Sequence, residues 1–210
     1  MFRQRVRVCY SVGGDKRFLS HHDMMRLWLR ALRRSGLPLR MTEGFHVRPR
    51  VSFAMARGVG IASESEWLGL ELADWVNPDV AHKRLASQLP PDIAIRSLET
   101  VAPSDRAVVR RIVYTVTPDR VPQDIDRRIR TLLDRRRVIV ERGPEGKRRQ
   151  VDIRPWLAGL QVRRNCLEVI ADCRSDGTLK PEEVLAQLAF SPDEIARSLI
   201  VRRQSQLDPA

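Results

Sequence analysis

Residues 13–23, GGDKRFLSHHD, form the densest polar cluster of the chain, and the chemistry they suit is anion binding. Two glycines allow a close backbone approach, and Lys16 and Arg17 supply positive charge. Ser20, with Asp23 three residues on, reads as a capping box opening a helix. The free N–H groups and positive dipole of such an end favour a phosphate. The cap alone also accounts for these two side chains, so the cluster has a purely structural reading as well. His21 and His22 take the first helical positions, where the dipole favours neutral imidazole, the form a general base or a metal ligand needs. Neighbouring helical residues point about 100° apart, so one of the two at most faces a given site. Only His46 offers a further nitrogen donor in the nearby loops. A metal needs three or four ligands, and none is expected.

A second group of chemically useful residues lies in Glu43-Gly44-Phe45-His46-Val47-Arg48-Pro49-Arg50. Phe45 and His46 suit base stacking, and Arg48 and Arg50 suit phosphates. Alternatively, the loop is an ordered connector whose Phe45 plugs the core. Arg3, Arg5 and Arg7 recur at two-residue spacing on one face of the first strand, with Trp67 expected on the same face. An open basic and aromatic sheet face is one way to read single-stranded RNA. A row of like charges also guards an edge strand. Further on, Arg135-Arg136-Arg137 and Lys147-Arg148-Arg149 flank a hairpin that could grip a phosphate backbone.

These residues need elements to hold them. Val6, Val8, Tyr10 and Val12 alternate with Arg5, Arg7 and Cys9, which is a strand with one face buried. Met24, Leu27, Trp28, Ala31 and Leu32 make the apolar stripe of a helix, with Arg26, Arg30, Arg33 and Arg34 on its polar side, and Gly36 and Pro38 end it. Short strands are expected over Leu39–Thr42, 51–56 and 68–72. A helix follows Asn77-Pro78 and runs to about Leu89, and Ile93 and Ile95 lead a closing strand. Strand, helix, strands, helix, strand is the split βαβ, ferredoxin-like pattern. Ala102-Pro103-Ser104-Asp105 reads as a linker. Beyond it come a strand (111–116), a helix (122–136), the hairpin and a strand at 167–171. Two short helices and a closing strand at 199–201 complete a looser copy, with Trp156 in its core. The expectation is an α+β chain of two ferredoxin-like domains with antiparallel sheets, 1–103 and 104–210.

Composition narrows the function classes. The 210 residues carry 38 basic against 26 acidic side chains, a formal charge of +12, and only four of the basic residues are Lys. The excess sits in residues 1–50 (+9) and 101–150 (+7). Guanidinium forks match phosphate, which favours nucleic acid as partner. No apolar run approaches the ~20 residues that span a bilayer, and the N-terminal residues lack a secretory apolar block. No membrane partner and a cytoplasmic location are therefore expected. Cys9, Cys166 and Cys173 make no cluster-binding or zinc motif, and the common nucleotide, hydrolase and zincin motifs are absent.

The stretch RFLSHHDMMRLWLRALRRSGLPLRMTEGFHVRPRVSFA (Arg17–Ala54) resembles the signature of the radical-SAM-linked proteins, an uncharacterised bacterial family. Its members are encoded beside, or fused to, radical S-adenosylmethionine proteins. VDIRPWLAGL (151–160) and DGTLKPEEVLAQL (176–188) are similar to the same family, and roughly 100–150 matches weakly. In that family the position of His22 is usually apolar, which points to His21. The resemblance implies an accessory chain, with no cofactor of its own and more akin to a binding subunit than to an enzyme. It would present tRNA or rRNA to a radical-SAM modification enzyme. The contact residues expected are Lys16, Arg17, Ser20, His21, Arg30, Arg34, Phe45, His46, Arg48 and Arg50. Two other readings stay open: a metal-independent endoribonuclease using His21 or His46 as acid or base, and a protein–protein adaptor that binds no nucleic acid.

Overall fold

A computed structural model describes residues 4–207, and over them the chain is a mixed α+β protein made of two compact units, 4–109 with 207 and 110–206. In the first unit the order is β1 (Gln4–Val12), α1 (His21–Arg34), β2 (Val51–Phe53), β3 (Ala62–Leu72), α2 (Pro78–Ala86) and β4 (Ile93–Val101). The strands lie β4-β1-β3-β2, and every pair is antiparallel. This is the ferredoxin-like split βαβ arrangement that the element order predicts.

Local sequence explains the elements. Ser20 accepts the Asp23 N–H at 3.2 Å to cap α1, and Gly36, at φ +65°, leaves the helix in the left-handed region. Met24, Trp28, Ala31 and Leu32 are its buried stripe. They pack on Val6, Val8 and Tyr10 of β1 and on Leu68, Leu70 and Leu72 of β3. Asn77 accepts the Asp79 N–H at 2.9 Å and Pro78 begins α2. Strand lengths differ from the sequence reading. β3 begins at Ala62 rather than 68, and β2 stops at Phe53. Leu39 and Met41 contribute only isolated bridges, to Leu72 and Pro49.

The helix-free face of β1 is not the open basic surface that the arginine spacing suggests. Strand register places Glu71 opposite Arg5 and Glu99 opposite Arg7. Arg5 is only 7% exposed and bonds Glu71 at 3.2 Å. Arg7 pairs with Glu99 at 2.9 Å and Asp105 at 3.2 Å and lies 5.5 Å from the Trp67 ring centre. Carboxylates thus pair with Arg5 and Arg7, the two members of the row that are described. Arg3 lies outside the described residues. The expected linker also does structural work, since Asp105 folds back onto Arg7.

The second unit runs β5 (Val109–Thr117), α3 (Ile125–Leu133), β6 (Ile139–Arg142), β7 (Arg149–Asp152), β8 (Leu157–Arg163), β9 (Cys166–Asp172), α4 (Pro181–Gln187), α5 (Pro192–Arg197) and β10 (Leu199–Leu207). Its strands lie β10-β5-β9-β8, with β6 and β7 a separate hairpin. The sequence reading has no strand at 157–163. A glycine at 159 and weak alternation hide it, and its pairing with β9 makes it one. Trp156 is buried, as expected, and its indole N–H donates to Asp176 at 3.1 Å.

Asp152 anchors the hairpin by accepting the Val138 and Arg154 N–H groups at 2.8 and 3.1 Å, with Arg137 at 3.4 Å. Burial raises its carboxyl, but those two N–H groups and Arg137 outweigh it, and the net shift is below the usual carboxylate value. A carboxyl depressed in the folded state stabilises above its unfolded value, about 3.9, and that stability is lost as pH falls through the folded one. Asp152→Asn is therefore expected to lower stability at pH 7 and to flatten its fall below about pH 4. Urea melts of both proteins at pH 7 and pH 3 check this. An equal loss at the two pH values would assign Asp152 a steric role only.

Candidate anion-binding site

The arginines of the 43–50 loop stand at an edge of the first unit. Thr42 and Arg48 close a small hairpin: the Thr42 N–H donates to the Arg48 carbonyl at 2.8 Å, and the Arg48 N–H to Thr42 Oγ1 at 3.1 Å. Gly44 turns the tip at φ +105°, and Arg33 holds the Val47 carbonyl at 3.5 Å. Phe45, at the tip, is 105% exposed, so it does not plug the core. His46 is exposed beside it. After the hairpin, Arg50 returns to the sheet edge. Its N–H donates to the Arg40 carbonyl at 2.8 Å, and its carbonyl accepts the Glu71 N–H at 3.2 Å.

This edge carries a cavity of about 360 Å³. Among the described residues Arg5, Arg48, Arg50 and Arg106 line it, with Glu71 as the one carboxylate. Glu71 is shared, since it pairs with Arg5 at 3.2 Å and Arg40 at 2.9 Å. Among the described residues Arg48, Arg50 and Arg106 make no ion pair, and the Nε–H of Arg50 is buried with no acceptor. Burial, and next the like charge of Arg106, pull Arg5 below the usual arginine value against the pull of Glu71 and Asp105. Positive charge is therefore crowded here beyond its neutralisation. Register puts Arg5, Ser52 and Glu71 on the helix-free face, whereas Val51 and Phe53, opposite Leu70 and Leu68, turn toward α1. The lining thus comes from both sides of the edge strand β2, and Met25 and Leu29 of α1 add aliphatic surface.

The remaining sequence candidates lie elsewhere. Lys16 and Arg17 sit in a 3-10 turn, Gly14–Phe18, whose carbonyls at 16 and 17 accept from the Arg57 guanidinium at 3.3 and 2.8 Å. Ser20 also donates to the Asp23 carboxylate at 2.7 Å, so an acidic side chain already stands at the helix end proposed for an anion. Arg30 and Lys16 line an open groove along α1 that also contains Asp23. Arg34 is engaged in structure, donating to the Gln88 side chain and carbonyl at 3.1 and 2.8 Å. His21 packs edge-on against Phe53, centroids 5.7 Å apart, over a cavity of about 10 Å³. Neither His21 nor His46 lines the arginine cavity.

In the hairpin, Arg137 pairs with Asp152 and Arg148 with Glu141 at 3.3 Å. Arg106 is the member of the site that sequence reasoning passes over, because nothing local distinguishes it from other arginines. No group of three His, Cys, Asp or Glu side chains converges among the described residues. No helix among them is long and apolar enough to cross a membrane.

Among solved structures, the chain is similar to an unknown protein from Galdieria sulphuraria, at 11% identity over 94% of this chain and 95% of that one, TM-score 0.29. It is also similar to the acetolactate synthase small subunit from Thermotoga maritima, at 11% identity over 95% and 94%, TM-score 0.27. Such loose overlap carries no argument about role. No curated protein matches the chain. Residues 5–181 match the family model described as "Uncharacterized protein conserved in bacteria (DUF2344)".

Proposed function

We propose that this chain, which belongs to the DUF2344 family of uncharacterised conserved bacterial proteins, is an accessory RNA-binding protein that presents tRNA or rRNA to a partner radical-SAM modification enzyme. The observation that carries the RNA contact is the set of arginines, Arg48, Arg50 and Arg106, that line one cavity without carboxylate partners. Guanidinium groups left unneutralised in a shaped cavity are suited to phosphate, and bidentate geometry adds direction to charge. Phe45, held out at the hairpin tip a few residues away, offers a ring on which a base can stack. The radical-SAM partner enters only through the family resemblance of Arg17–Ala54, 151–160 and 176–188, and the reading gives this chain no cofactor. We also read each unit as a ferredoxin-like domain, the second being a diverged copy with a hairpin inserted after α3.

The test is RNA binding by the full chain and by Arg48→Ala/Arg50→Ala. Arg48 is exposed and neither side chain makes an ion pair, so the variant is expected to stay folded. Loss of two charge-assisted contacts should weaken single-stranded RNA binding about 100-fold, or about 3 kcal/mol. It should also reduce the slope of log K against log salt by about 1.4, at ~0.7 per phosphate. Affinity retained at matched salt would remove the loop from the site. A pull-down from the native cells that recovers neither RNA nor a radical-SAM protein would remove the function.

A further inference from the structure

The cavity holds more positive charge than an internal phosphodiester calls for. Four guanidiniums line it against Glu71, and Glu71 is already divided between Arg5 and Arg40. A phosphodiester carries one negative charge, whereas a phosphate monoester carries about −1.5 to −2 at pH 7 and three acceptor oxygens. Donors are also in excess. The Arg50 Nε–H is buried without an acceptor, a state that costs free energy until an oxygen is supplied. Arg106 is steadied by the Pro103 and Asp105 carbonyls, at 3.3 and 3.2 Å, which orient the guanidinium and leave its charge intact. Thr42 and Ser52 add hydroxyls to the wall.

Size and shape point the same way. About 360 Å³ lies in the range of small-ligand pockets and is suited to a single nucleotide rather than to a length of strand. Gly69 keeps the floor open, because a Cβ there would stand 2.9 Å from Ser52 Oγ and 3.6 Å from Arg5 Nη2. Met25, Leu29 and Val51 give the aliphatic wall against which a terminal base and sugar can lie. We infer that this pocket binds the terminal phosphate monoester of an RNA strand, so that the chain grips an end, not the middle, of its RNA. This rests on the RNA-binding reading above and assigns it a substrate feature. A free nucleoside monophosphate presents the same chemistry and is kept apart by a separate arm of the test.

The full chain would be titrated with a ten-nucleotide single-stranded RNA in three forms: 5′-phosphate, 3′-phosphate, and hydroxyls at both ends. At least one phosphorylated form is expected to bind about tenfold tighter or more than the hydroxyl form, the equivalent of one further charge-assisted contact. Arg50→Gln and, separately, Arg106→Gln should each weaken the phosphorylated form more than the hydroxyl form, so that both RNAs bind less tightly and the tenfold preference disappears. Agreement between the two variants guards against a folding effect of either. Equal affinity for all three RNAs overturns the end-recognition inference and leaves the RNA reading standing. A preference that survives both substitutions also overturns it, since the pocket would not be its source. If no RNA binds, the RNA reading fails. Adenosine 5′-monophosphate against adenosine then decides the pocket: binding of the monophosphate alone moves the ligand from a strand end to a free nucleotide, and binding of neither ends the inference.

Discussion

Trp28→Ala is expected to destabilise the first unit by about 3–5 kcal/mol, the usual range for emptying a large aromatic site in a core. Trp28 is 0% exposed. Its ring meets Tyr10 edge-on, centroids 4.7 Å apart at 64°, which ties α1 to the central strand β1. Leu68, Leu70 and Leu72 complete the packing from β3. Truncation would therefore leave a void in the core that the helix shares with both inner strands. The indole Nε1–H is buried and has no acceptor. Trp28→Phe keeps a ring against Tyr10 and removes that unpaired donor, so its loss should be much smaller, under about 1.5 kcal/mol. Urea denaturation of both variants, followed by circular dichroism, measures the two values. Similar large losses for Phe and Ala would mean that the indole's outer ring, not the bulk of the aromatic, holds the helix.

Glu71→Ala should lower stability and raise phosphate affinity at once. Glu71 is 15% exposed, Arg5 is 7% exposed, and their ion pair is joined by Arg40. Removing one member of a buried pair leaves an uncompensated charge, which costs about 3–5 kcal/mol. Arg106 worsens matters for Arg5 as a like charge nearby. The cavity meanwhile loses the Glu71 carboxylate, so its potential becomes more positive. Stability comes from urea melts, and affinity from RNA titration at a temperature where the variant is folded. Should affinity fall along with stability, Glu71 would be acting as a ligand-orienting group rather than as a counter-charge. The pair Arg5→Met with Glu71→Leu is expected to recover most of the stability, because apolar replacement of a buried ion pair is often neutral or better. The same double substitution would not restore the single variant's gain in affinity, since Arg5 itself lines the site.

Much of the fold was legible because its signals are local. Alternation in 5–12, the apolar stripe of 24–32 and the Asn77-Pro78 start each depend on neighbours within a few residues, and each element is present. β8 was not legible. Leu157–Arg163 becomes a strand by pairing with β9, and its own pattern, broken at Gly159, does not announce it. Phe45 had two readings, stacking ring or core plug, and only the hairpin closed by Thr42 and Arg48 excludes the second.

For the site the division is sharper. Residue types alone show an Arg-rich chain and pick out Arg48 and Arg50, since an irregular loop with two guanidiniums has an obvious use for them. Which arginines keep their charge is a question of partners, and partners are distant in sequence. Arg5 meets Glu71 across 66 residues and Arg7 meets Glu99 across 92. Register therefore sets carboxylates against Arg5 and Arg7 of the strand row, and the end of α1 lying by the turn after α2 gives Arg34 to Gln88. The return of the chain after β4 sets Arg106 beside Arg5 and Arg50. The sequence by itself determined how many positive charges the chain has and which elements carry them. Tertiary structure decided which stay unneutralised, because neutralisation acts over a few ångströms in space and is indifferent to separation along the chain.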